Sequence, residues 1–374
     1  MTKRVLIIGG YGNFGRYISA TLASEPDITI IIAGRNPHKA EALARTLDAR
    51  NIPETAKLDI QDDLSAPFKQ IAPDIVIHTS GPYQSQGYEV ALACIAQGCH
   101  YIDLADAREF VSNIQSLDQA AKDRGVLLCS GASSVPSLTG AIIDAYIGEF
   151  NTLESIDYAI ASAQLTNQGL ATTAAVLSYA GKSFKTLIDG QMTDVYGWQG
   201  LRLCQFWKLN TRMLGNCNVP DLEIFPKRYP SLKTIRFQAG IELKIQHLGL
   251  VLLSWLVRLK ILTSVQPLAP YLLKISRAFD IFGKDDSGFY MTLSGLDDAG
   301  HAKNICFEIA AHKGDGLYIP SFPSILMAKK LARGEVTATG AQACVGFITL
   351  SEYLAALEGL DIQWRTEGVA DNPQ

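Results

Sequence analysis

Val5-Leu6-Ile7-Ile8-Gly9-Gly10-Tyr11-Gly12-Asn13-Phe14-Gly15 is the stretch that decides how this chain is read. Four apolar residues with the character of a buried strand run into a G-x-G-x-x-G pattern at Gly10, Gly12 and Gly15. A strand that turns into a helix beside a pyrophosphate needs its backbone at contact distance from the phosphates. Side chains at Gly10 and Gly12 would block that approach, and Gly15 lets the new helix lie close on the strand. The helix expected over Asn13–Ala23 would aim its free N–H groups and positive dipole end at the phosphates, with Tyr11, Asn13 and Phe14 in the same turn. Such a glycine pattern alone can be an ordinary turn. Its place directly after a strand and ahead of a second strand at the right distance makes it a dinucleotide-binding signature.

That second strand, Thr29 to Ala33, ends in Gly34-Arg35-Asn36. A carboxylate that accepts hydrogen bonds from a ribose 2′-hydroxyl belongs at this point, about 20 residues past the motif. None is there: Asp27 precedes the strand and Glu41 lies a turn into the next helix. Arg35, with Asn36 beside it, offers a planar charged fork suited to a 2′-phosphate, so the spacing predicts NADP (NADPH) rather than NAD. A solvated surface arginine is the alternative.

Composition narrows the function classes. The chain has 374 residues, 48% hydrophobic and 19% charged, an ordinary globular balance long enough for two domains. Its net charge of -4 and the lack of a lysine and arginine stripe argue against a nucleic-acid partner. Seven cysteines without a C-x-x-C pair, and an N-terminus that enters a strand directly, predict a cytoplasmic protein with neither a disulfide framework nor a metal site. Leu248 to Val257 is apolar apart from Gly249 and Ser254, yet too short to span a bilayer, so no transmembrane segment is expected. Such a helix is expected in a core or a subunit interface, with peripheral lipid contact as the alternative.

Strands and helices alternate to about residue 131, which predicts a Rossmann-type, doubly wound parallel sheet over 1–131. Longer alternating strands follow, and 132–339 is expected to be an α+β domain with a mostly antiparallel sheet. A C-terminal helix at about 340–360 is expected to return to the first domain, and 363–374 to form a flexible tail. Ligands of an open parallel sheet bind beyond the carboxyl ends of its strands. Asp59-Ile60 ends the third strand and is a candidate neighbour of the adenine, while Thr79-Ser80-Gly81-Pro82, ending the fourth, should run beside the nicotinamide ribose. Tyr101 and Asp103 share a face of the fifth, and Ser133 lies in the loop after the sixth.

Gly9 to Gly15, Ala33-Gly34-Arg35, Ser80-Gly81-Pro82-Tyr83 with Gly87, Gly98 through Leu104, and the Gly131 to Pro136 loop together resemble the saccharopine dehydrogenase-like oxidoreductases. The resemblance covers the first 140 residues well and is looser beyond them. It implies a Rossmann domain followed by an α/β domain over the active site that often mediates dimerisation, hence a homodimer, and NADPH-linked reduction of an imine or its reverse.

Hydride chemistry also needs a group that gives or takes a proton. Tyr83, as a phenol beside the ring, and Asp103, as a carboxyl at a strand end, are the candidates. Packing of Tyr83 in its turn and capping by Asp103 are the structural alternatives. His78, inside an apolar strand, reads as a core histidine. The activity expected is hydride transfer to or from an imine, carbonyl or activated C=C of a small metabolite. A non-catalytic NADP(H) sensor or scaffold, and a trans-acting enoyl reductase of lipid biosynthesis, stay open.

Overall fold

The computed structural model of the chain describes residues 2–166 and 169–369. It divides into two compact units, Met1–Ala141 with Tyr318–Ala356, and Ile142–Leu317 with Leu357–Gln374. The first unit opens with β1 (Lys3–Ile8), α1 (Asn13–Ala23), β2 (Ile28–Gly34), α2 (Pro37–Ala44), β3 (Glu54–Lys57) and α3 (Ser65–Ile71). It continues through β4 (Ile75–His78), α4 (Glu89–Gln97), β5 (His100–Asp103), α5 (Arg108–Asn113), α6 (Asp118–Arg124) and β6 (Leu127–Ser130). Helix α7 (Thr139–Tyr146) runs across the division.

The second unit contains β7 (Thr152–Ala161), α8 (Leu170–Ser178), β8 (Ser183–Ile188), β9 (Gln191–Tyr196), β10 (Arg202–Cys204) and β11 (Arg212–Asn216). After these come α9 (Asp221–Arg228), β12 (Thr234–Gly240), α10 (Lys244–Arg258), α11 (Ala269–Arg277), β13 (Ser287–Leu296) and β14 (Ala302–Ala311). The chain then returns to the first unit with α12 (Phe322–Ala332), β15 (Gly340–Ala343) and α13 (Leu350–Ala356), and ends with β16 (Ile362–Glu367) in the second.

The sheet of the first unit has the order β15-β6-β5-β4-β1-β2-β3, with every pairing parallel. Its direction of winding reverses between β1 and β4, the position at which doubly wound sheets open a crevice for ligands. Val5, Leu6, Ile7 and Ile8 are buried, as a strand covered by helices on both faces requires. The sheet of the second unit, β10-β11-β12-β7-β13-β14-β16, is antiparallel except for β12 beside β7.

Two expectations about organisation are corrected. The first unit reclaims residues 318–356 and not merely a helix at 340–360: β15 extends the parallel sheet beside β6. Tyr318 stacks on Tyr17 of α1 at 4.1 Å, and Glu25 binds Lys329 and Arg333 from the far end of α12. The expected tail from 363 is a strand through Glu367, with Arg365 on Glu308 and Thr366 on the Tyr146 hydroxyl; 370–374 lie outside the described residues. Its few apolar residues hid it, because an edge strand needs only one ladder and a few side-chain anchors. Between β5 and β6, α5 and α6 are joined by a tight turn over Ile114–Leu117.

Candidate active site

Two strand ends meet at the switch point. After β1 the backbone turns at Gly9, whose φ of +79° is left-handed, and a Cβ there would lie 2.7 Å from both the Thr79 and Ser80 hydroxyls. The loop after β4 is therefore packed directly against the glycine turn. Gly12 N–H closes that turn on the Gly9 carbonyl (2.8 Å), and a Cβ on Gly15 would overlap the same carbonyl. At Gly10 a Cβ would stand 2.9 Å from the Ile7 carbonyl. The cradle thus uses four glycines. Gly9 was not among the residues singled out from the G-x-G-x-x-G pattern, which begins one position later. No side chain caps α1 and its first turn holds no acid, so its dipole end faces the turn.

Beyond β2, Tyr11 reaches over from the glycine turn. Its hydroxyl accepts a hydrogen bond from Asn36 N–H at 2.9 Å, and its ring fills the space where a Cβ on Gly34 would come within 2.6 Å. Tyr11 and Gly34 together fix the start of the turn that carries Arg35. Arg35 is exposed and makes no hydrogen bond or ion pair among the described residues. Asn36 accepts from Lys39 N–H at 3.2 Å and caps α2. The parallel register puts exposed Lys57 opposite Gly34, so a second cation adjoins this strand end. Nothing in the linear sequence pairs residues 34 and 57. Asp59 accepts from Gln61 N–H at 3.2 Å and shapes its own turn, while Ile60 packs on the core.

The ends of β4, β5 and β6 form a buried polar cluster. Asp103 is fully buried; its Oδ1 accepts from Ala105 N–H (2.9 Å) and Gly131 N–H (2.8 Å), which ties the loop after β6 to β5. Gly131 has φ of +76°, and a Cβ there would meet Pro136 at 2.7 Å. Ser133, two residues on, donates its N–H to the Gly131 carbonyl. Burial pushes the Asp103 pKa up to about 6, although the Gly131 and Ala105 N–H groups and the Ser130 and Tyr101 hydroxyls pull it down. Asp103 Oδ2, Ser130 Oγ and His78 Nε2 are buried without a well-formed hydrogen bond among the described residues. His78 Nδ1 lies 3.2 Å from the Tyr101 hydroxyl, and burial lowers its pKa to about 4, so the ring is neutral.

Tyr83 is buried and donates its phenol proton to the His78 carbonyl at 2.6 Å. Burial, then the nearby Asp103 charge, raises its pKa well above the ordinary value. Both residues singled out for proton transfer are thus engaged with backbone: Tyr83 holds β4 to its turn, and Asp103 holds two strand-end loops together. Thr79 donates its hydroxyl to the Ile8 carbonyl (2.8 Å), and the Ser80 and Pro82 carbonyls accept from Gln86 (2.6 and 3.0 Å), so the segment containing Gly81 is pinned on both sides. Phe14 is half-buried in the first turn of α1, and Asn13 opens that helix. Among the described residues no group of histidine, cysteine, aspartate and glutamate is placed to hold a metal, and no helix is long and apolar enough to cross a membrane.

Residues 5–129 match the family model "Saccharopine dehydrogenase NADP binding domain". A solved structure of apo saccharopine dehydrogenase (L-Glu forming) from Saccharomyces cerevisiae superposes with a TM-score of 0.72 at 15% identity, over 98% of this chain and 100% of that one. A mutant meso-DAPDH from Clostridium tetani aligns over 94% of this chain and 96% of its own at 14% identity, with a TM-score of 0.46. In sequence, a Caenorhabditis elegans protein named "Lipid droplet localized protein" is 24% identical over 164 residues, 40% of this chain and 38% of that protein, so the match spans well under half of the relative. Residues 5–129 are thus a nicotinamide-dinucleotide-binding domain of the saccharopine dehydrogenase type, and the fold of the whole chain is similar to that of saccharopine dehydrogenase.

Proposed function

We propose that the protein is an NADPH-dependent oxidoreductase that transfers hydride to or from an imine, carbonyl or activated C=C of a small metabolite. The observation that carries the cofactor preference is the end of β2. There an arginine without a partner among the described residues follows a glycine held under Tyr11, where a ribose-binding acid would otherwise stand. The four-glycine cradle fits a pyrophosphate, because a Cβ at Gly9, Gly10 or Gly15 would collide with the surrounding turn and leave no open backbone for one. A bound reduced nicotinamide supplies the hydride. In this reading Arg35, with Lys57 beside it, binds the 2′-phosphate, and Ser80 to Pro82 with Ser133 border the reacting ring. Tyr83 and Asp103 act as positioning residues that hold those loops in register.

Titration of the protein with NADPH and NADH, for wild type and Arg35→Ala, tests the cofactor assignment. A charge-assisted hydrogen bond to phosphate is worth about 1.5–3 kcal/mol, so NADPH affinity should fall at least about tenfold while NADH affinity stays nearly unchanged. Equal losses for both would refute the preference. Loss of reduced-nicotinamide absorbance against panels of amine and aldehyde pairs and of enoyl thioesters then tests turnover. Tight NADPH binding with no oxidation in any panel would replace the enzyme with a non-catalytic NADP(H) binder.

A further inference from the structure

Helix α10 is built inside out. Ile245, Leu248, Leu252, Trp255 and the capping Leu259 recur at the spacing of one helical stripe, and they are 65, 47, 62, 43 and 62% exposed. The opposite face, His247, Leu250, Ser254 and Val257, is the buried one, and it is half polar. That buried face is fixed in place. Ser254 donates to the Gly197 carbonyl at 2.8 Å and accepts from Gln199 at 3.0 Å, while His247 lies edge-on to Trp198. The helix therefore cannot roll its apolar stripe inward without breaking these contacts. Of the locations expected for Leu248–Val257, a core or subunit interface and otherwise a lipid contact, burial in this chain's own core is not what the structure has. Helix α11, which packs on α8, is tied to α10 where Ser276 donates to Gln246 (3.0 Å), and it with the turn after it exposes Tyr271, Ile275, Ile281 and Phe282.

Charge identifies what such a face would meet. Residues 243–284 contain six lysines and arginines against a single acid, Asp280, in a chain whose net charge is -4. Arg258 is engaged, stacked on Tyr196 and Trp255 and bonded to Gln199. Lys244, Lys260, Lys274, Arg277 and Lys284 are exposed and have no ion pair among the described residues. We propose that α10 and α11 form a docking surface for an anionic phospholipid surface, with the apolar stripe of α10 set into the headgroup and acyl boundary and the free cations at its rim on lipid phosphates and carboxylates. Apolar side chains rimmed by cations, with a tryptophan and a tyrosine among them, are the chemistry of an interfacial helix. A second copy of this chain suits the face less well. A two-fold interface would set the same cationic rim against itself.

The test is flotation of the full-length protein with phosphatidylcholine vesicles with and without phosphatidylserine. Wild type should float with the phosphatidylserine vesicles, bind pure phosphatidylcholine far less, and be released near ~1 M salt, where screening shortens to about 3 Å. Each cation near an anionic surface contributes about fivefold, so Lys260→Gln with Lys274→Gln should weaken binding about 25-fold. Leu248→Ser with Leu252→Ser should weaken it more than about tenfold. Both pairs are exposed, and an unchanged circular dichroism spectrum will confirm that neither variant has unfolded. Absence of wild-type binding, or retention of full binding by the leucine variant, overturns the proposal. So does a wild-type dimer that ignores vesicles and dissociates in the leucine variant, which would give the face to a second copy.

Discussion

Asp103→Asn separates two opposed titrations in the strand-end cluster. The amide keeps an oxygen where Oδ1 accepts from Ala105 and Gly131, so the loops stay tied and only the ionisation is lost. Burial lifts the carboxyl from its ordinary 3.8 to about 6. Two pKa units amount to about 3 kcal/mol against the charged form at neutral pH. Because the folded pKa is raised, the stability this group allows is fully present below about pH 4 and is lost as pH rises through 6. His78 runs the other way: its pKa is lowered from 6.5 to about 4, so its contribution is present above 6.5 and is lost as pH falls through 4. Going from about pH 7 to about pH 5, His78 should cost about 2 kcal/mol while Asp103 returns about 1.3, so that this pair together costs only about 0.7 kcal/mol. The Asp103→Asn protein should therefore lose about 1.3 kcal/mol more than wild type over this range and be the more stable of the two at neutral pH. His247, also lowered to about 4 by burial, affects both proteins equally and cancels. Urea midpoints measured across this pH range for both proteins check the difference. Parallel profiles would show that burial does not hold Asp103 against ionisation.

Gly15→Ala should abolish NADPH binding and destabilise the first unit by at least about 2 kcal/mol, since its Cβ would overlap the rigid Gly9 carbonyl; cofactor fluorescence and a melting curve read the two effects. Tyr83→Phe removes the 2.6 Å bond to the His78 carbonyl and should cost about 1 kcal/mol of stability with less than about a tenfold fall in kcat. A loss of several orders of magnitude in kcat would restore Tyr83 as a proton donor. Tyr11→Phe, which leaves Asn36 N–H without its partner, should weaken NADPH more than NADH, because the turn it holds bears on the 2′ position. Equal weakening in a direct titration would detach Tyr11 from that role.

The legible parts of the fold are those where local pattern and tertiary role coincide. Helix α1 is legible to the residue because a glycine turn opens it, and β1 and β2 to within two residues because buried parallel strands are continuous apolar runs. Helix α3 carried no such signal: a leucine precedes it, it lasts seven residues, and only Phe68 is buried. Strand β15, Gly-Ala-Gln-Ala, has almost no strand propensity and exists because β6 offers it an unpaired edge. In the site, the glycines were visible because backbone clearance admits few alternatives. Tyr11 over Gly34, Lys57 opposite it, and the Tyr83 bond to His78 depend on register and rotamer, which spacing does not encode. The apolar run of α10 is legible in the sequence, but the choice between a core and an exposed face is not. Hydrophobicity fixes that a stripe exists, whereas the contacts of Ser254 and His247 fix which way it faces.

The return of residues 318–356 to the first unit gives its assembly an order in time. Strand β6 has one parallel neighbour from the first half of the chain, and its other edge stays open until β15 arrives about 200 residues later. At ordinary rates of synthesis of about 5–20 residues per second, that edge waits on the order of 10–40 s on the ribosome. During that interval the Asp103 and Gly131 corner is already made, while the side of β6 that will accept Cys344 N–H at the Ser130 carbonyl is unpaired. The dinucleotide cradle can therefore form early, but the sheet that supports it closes only when nearly the whole chain has been made.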